Sequence, residues 1–159
     1  MKRALILLVA IPVTAAAQHD HSTAVMSAAD ERAMAAHMEM TSLRPSNRAD
    51  SVRAAKLVTE LRSAIAKYRD VRVAVDDGFR QFAPQVKDQR VYHFTNYKWA
   101  FENAFRFNPE KPTSLLYKKD SNGSLVLVGA MYTAPKRFSE EKLNERVPLS
   151  VAQWHKHVN

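Results

Sequence analysis

The sequence contains no cysteine. Disulfides are therefore excluded, so packing or a bound ligand must supply the stability that many exported domains take from cross-links. Glycine occurs only three times, too few for the glycine-rich loops that cradle phosphates. No apolar run approaches the roughly 20 residues that a membrane-spanning helix requires. Catalytic patterns are missing as well. Ser150 and His155 lack an acid partner and a nucleophile elbow, and the adjacent Asp76 and Asp77 would point apart on a helix. No catalytic motif is identified, and the reading favours a binding protein over an enzyme.

What is present begins with an export signal. Met1-Lys2-Arg3 supplies a positive start, Ala4 to Val13 a short apolar run, and Thr14-Ala15-Ala16-Ala17 the small residues that signal peptidase accepts. Residues 1–17 are expected to be removed, which places the product in the periplasm or the medium with no membrane span in the mature chain. No cysteine follows the apolar run, so lipid attachment there is excluded. The formal net charge is +8, and loss of Lys2 and Arg3 lowers it by two. This surplus suits an acidic envelope component or partner protein. An exported protein meets little nucleic acid, and no nucleic-acid partner is expected.

The remaining chain reads as a flexible His-containing segment, 18–26, followed by one α+β domain, 27–159, with N-terminal helices packed on a small antiparallel sheet. Ser27 to Asp30 resembles a capping box and predicts a helix through Met40. Leu43-Arg44-Pro45 breaks it, and Ser46 or Asn47 can cap the next. That helix, about 48–68, has Ala54, Leu57, Val58, Leu61, Ala64, Ile65 and Tyr68 in one stripe, with Arg53, Lys56, Glu60 and Lys67 opposite. Residues 70–77 predict a short helix ending at Gly78. Further on come a strand at 91–94 and an amphipathic helix at 97–105 carrying Tyr97, Phe101, Ala104 and Phe105 on one side. Strands at 114–118 and 125–132 flank Asn122-Gly123, whose positive φ values suit a hairpin. A brief helix capped by Ser139 and an extended segment from Val147 to Asn159 complete the pattern.

Four motifs in order, Tyr92-His93-Phe94-x-Asn96, Pro109-x-x-Pro112-x-x-Leu115-Leu116-Tyr117, Leu127-Val128-Gly129-Ala130-x-Tyr132 and Trp154-His155-x-His157-x-Asn159, resemble those of a family of small exported bacterial proteins. The resemblance runs from about Met38 to the end and implies export and an α+β fold rather than a chemistry. Members of that family generally continue past the last motif with a cysteine and a further histidine-containing tail. This sequence ends at Asn159, so the resemblance implies that a site using such a tail would be incomplete here.

Two groups of residues point to a transition metal. On a strand, side chains alternate, so His155, His157 and Asn159 share one face and Trp154, Lys156 and Val158 the other. Two imidazoles in that arrangement can converge on one copper or zinc ion. His93, on the predicted strand 91–94, is the third histidine of the β-rich half and the candidate to close the site, with Asn159 or water completing it. The second group is His19, His21, Met26, Met34, His37, Met38 and Met40. It holds four of the chain's six methionines, and thioether with imidazole favours copper. The competing reading is an interaction module without an ion, in which the basic helix face and the aromatics from Tyr92 to Phe107 meet an acidic partner.

Overall fold

The computed structural model describes residues 4–9, as backbone, and residues 38–157. The expectations for residues 18–26, for the helix from Ser27 to His37 and for Asn159 lie outside the described residues. The architecture is α+β. Asn47 caps α1 (Arg48–Ile65) by accepting the Asp50 N–H on its side-chain oxygen at 2.8 Å, which satisfies one of the donors left open at a helix start. Leu57, Leu61 and Ile65 of the apolar stripe are buried, as is Tyr68 on the 3-10 turn Ala66–Arg69 that follows. Each such side chain contributes about 1.5–3 kcal/mol of burial. The opposite face is only partly free. Arg53 donates to the carbonyls of Asn144 at 2.6 Å and Glu145 at 3.1 Å, tying α1 to a distant helix.

Asp70 caps α2 (Val71–Asp76), and Gly78, at φ +93°, takes the left-handed conformation that ends it. The strands are β1 (Ala4–Val9), β2 (Met38–Met40), β3 (Arg80–Gln81), β4 (Tyr92–Thr95), β5 (Ser114–Lys119), β6 (Leu125–Pro135) and β7 (His155–His157). They form one antiparallel sheet in the order β2-β7-β1-β6-β5-β4-β3. β1 lies within the segment expected to act as an export signal. It is also the strand between β6 and β7. Apart from it the sheet divides into a four-stranded unit, β6-β5-β4-β3, and a two-stranded unit, β2-β7.

α3 (Tyr97–Phe105) and α4 (Glu140–Arg146) complete the helices. Asn96 caps α3 through the Trp99 N–H at 3.1 Å while its side-chain amide donates to the Asp77 carbonyl. Edge-to-face aromatic pairs join Tyr68 to Phe79, Phe79 to Trp99 of α3, and Phe94 of β4 to Tyr117 of β5, and the Tyr117 hydroxyl donates to the Tyr68 carbonyl at 2.7 Å. Asn103 is buried in α3. Its amide donates to the carbonyls of Trp99 and Lys111, its oxygen accepts the Asn108 N–H, and its own carbonyl receives Arg146 at 2.7 Å. Among the described residues, no helix is long and apolar enough to cross a membrane.

The structure departs from the sequence expectations in three places. Met38–Met40 is a strand rather than a helix end, because pairing with β7 outweighs local propensity. The hairpin turn places only Gly123, at φ +80°, in the left-handed region and not Asn122. Its five-residue loop is held by Asp120, whose carboxylate accepts the N–H groups of Asn122 and Ser124. The third departure is on α3, where Tyr97, Phe101 and Phe105 are 63%, 68% and 73% exposed. The buried side of that helix is carried by Asn103 and the half-buried Trp99.

Candidate metal centre

The C-terminal segment reaches its place by a series of local constraints. After α4, Leu149 donates its N–H to the Asn144 side chain at 2.9 Å, and Ser150 donates to Asp50 at 2.7 Å. This contact and the Asn47 amide hold the Asp50 carboxyl below its ordinary range. A turn at Pro148 then leads to Trp154, which is fully buried. Here the chain meets β2. The Thr41 N–H donates to the Trp154 carbonyl at 2.8 Å, and the Trp154 N–H donates to the Thr41 hydroxyl at 2.9 Å.

From that anchor the alternation predicted for the terminal strand holds. Trp154 is turned inward and Lys156 pairs with Glu39 at 2.6 Å. His155 and His157 occupy the opposite face, with ring centroids 5.5 Å apart and planes at 83°. A histidine nitrogen binds a metal at 2.0–2.1 Å, which puts each ring centroid about 3.2 Å from the ion. Two imidazoles on one tetrahedral ion therefore have centroids about 5 Å apart. The observed separation is close to that requirement. Burial, followed by the neighbouring His157, lowers the His155 pKa below its ordinary 6.5.

His93 is not part of this cluster. It sits on β4, and β1, β6 and β5 intervene between that strand and β7. Four strand spacings amount to roughly 19 Å along the sheet. Its imidazole is half-buried, and burial lowers its pKa. Asn159 lies outside the described residues, so the structure brings together two of the four residues singled out. Among the described residues, no group of three or more His, Cys, Asp or Glu side chains is arranged to hold a metal.

Methionine lies where His93 was expected. β2 pairs with β7 so that Met38 opposes His157 and Met40 opposes His155. Directly opposed residues of an antiparallel pair share a face. Met38, Met40, His155 and His157 thus share one face of this ribbon, with Met40 49% exposed. The available sequence signal was the matched spacing of Met-x-Met and His-x-His. On a helix, Met38 and Met40 would not share a face in that way.

A separate feature lies on α3. A cavity of about 730 Å³ is lined by residues including Phe101, Phe105, Arg106, Phe107 and Lys111. Comparison of the chain with protein-family models, with curated proteins and with solved structures gives no match. The functional reading therefore rests on the residues themselves.

Proposed function

We propose that this is an exported protein that binds a transition metal ion through His155 and His157. The observation that carries the reading is the 5.5 Å separation of the two imidazoles on one strand face. The sequence of the first 17 residues supports export, through its positive start, apolar run and small residues before the expected cut. Elemental analysis of protein purified without a histidine tag tests the metal. Copper or zinc near one equivalent is expected, lost in H155A/H157A, and protein free of metal that takes up neither ion on titration would end the proposal. N-terminal sequencing of the exported product tests the cut after Ala17.

A second reading is favoured by the exposed face of α3. Tyr97, Phe101 and Phe105 stand at successive turns with most of their surface in solvent, on a chain that stays basic after loss of Lys2 and Arg3. Exposed aromatics rimmed by cations suit a negatively charged envelope component or partner protein. Binding that weakens steeply with salt and ignores chelators would favour this reading over the metal.

A further inference from the structure

We infer that Met38 and Met40 complete the site with His155 and His157, and that the ion it takes is Cu(I). The inference rests on the metal-binding reading of the histidine pair and adds the other two ligands and the identity of the ion.

Met38 against His157 and Met40 against His155 place four side chains at the corners of a rectangle on one face of the ribbon. Opposed Cβ atoms lie about 5 Å apart, and residues two apart on a strand about 7 Å. The centre of that rectangle is roughly 4 Å from each corner. An imidazole or a thioether reaches such a point without any backbone movement. Four donors in this arrangement suit a four-coordinate ion.

Donor chemistry then selects the ion. Two thioethers and two imidazoles are all uncharged. The nearest acid on the ribbon, Glu39, points to the other face and is engaged by Lys156. A dication here would keep its whole charge, in a chain that stays basic after Lys2 and Arg3 are lost. Zinc also binds thioether poorly, whereas thioether ligands select Cu(I). A monovalent, soft ion matches the set on both counts. With no cysteine anywhere in the chain, no thiolate competes with these four donors for the ion.

The framework is held by bonds that do not involve these four side chains. Thr41 and Trp154 lock the two strands by reciprocal bonds immediately beside Met40 and His155, and Lys156 pairs with Glu39 across the opposite face. Neither methionine belongs to the buried core, so replacing them by leucine removes sulfur without opening it.

The test uses the whole protein under anaerobic, reducing conditions, titrated with Cu(I) against a chromophoric Cu(I) chelator and separately with Zn(II). M38L/M40L is expected to weaken Cu(I) binding at least tenfold and to change Zn(II) binding less than threefold. H155A/H157A is expected to weaken both, and X-ray absorption at the copper edge is expected to show sulfur neighbours that M38L/M40L removes. If M38L/M40L retains full Cu(I) affinity, the inference is overturned. Loss of Zn(II) binding in H155A/H157A would then still leave the histidine pair standing. If replacing His19, His21, Met26, Met34 and His37 abolishes Cu(I) binding while M38L/M40L does not, the ion belongs to that segment and the inference is again overturned.

Discussion

Met40 and His155 stand opposite each other across the ladder between β2 and β7, one from near each end of the described chain. Their pairing gives Met-x-Met and His-x-His a common face. It also places that face at the edge of the sheet, away from the buried side on which Trp154 packs. An ion held by both segments belongs to the native state, because the unfolded chain does not bring them together.

The first prediction follows from that linkage. An ion bound only by the folded protein stabilises it by about 2.7 kcal/mol at a hundredfold excess over Kd. Copper should therefore raise the melting temperature of the wild type. In H155A/H157A the rise should vanish, whereas it should persist when His19 and His21 are replaced. A double C-terminal variant that keeps the full rise would remove the pair as a site.

Protonation supplies the second prediction. Burial lowers the pKa of His93, and burial with the neighbouring His157 lowers that of His155, both from 6.5. The unfolded chain thus binds more protons than the native one between the lowered values and 6.5, so stability rises with pH across that window. It is fully present above about 6.5 and declines as the pH falls through the window. Thermal melts from pH 7.5 down to 5 should show this decline, and H93N should flatten part of it. The wild type melting at one temperature across that range would contradict the assignment. In the same window protons compete with the ion for imidazole, so metal affinity should fall alongside stability.

The third prediction concerns Asn103. Its side chain satisfies two carbonyls and one backbone N–H in the interior. Asn103→Ala takes this partner from the Lys111 carbonyl and the Asn108 N–H, while the Trp99 carbonyl keeps its bond within α3. The change should cost about 3 kcal/mol, since each orphaned buried group costs about 1–3 kcal/mol and relaxation or water recovers some of it. Urea denaturation measures the loss. A change under 1 kcal/mol would mean that the loop from Asn108 to Lys111 does not depend on this residue.

Much of the fold was legible because its signals are local. The stripe of α1 repeats every three to four residues, the bounds of α3 follow from Asn96 and the aromatic spacing, and Ser139 announces α4. What was not legible depends on contacts distant in sequence. Met38–Met40 has no local feature that marks a strand, and becomes one because β7 supplies the partner. Likewise the distance between His93 and His155 depends on strand order, and the periodicity of a strand says nothing about which neighbours it takes. The terminal half-site could be read from alternation within one strand. Its partners required the register between two.

The last prediction concerns the segment that reads as an export signal. β1 pairs with β6 from Ala4 opposite Pro135 to Val9 opposite Ala130, and with β7 through Ile6 opposite His155. Cleavage after Ala17 would remove the strand that joins the two parts of the sheet. Backbone groups of β6 along 130–135 and of β7 would then lose those partners, and unpaired strand edges exchange their amide protons readily. Hydrogen exchange on the full chain and on residues 18–159 should therefore differ at 130–135 and around His155. Exchange at 114–119 should remain alike, because the pairing of β5 with β4 does not involve β1. Equal protection at 130–135 in both forms would show that the edge of β6 is closed without Ala4–Val9.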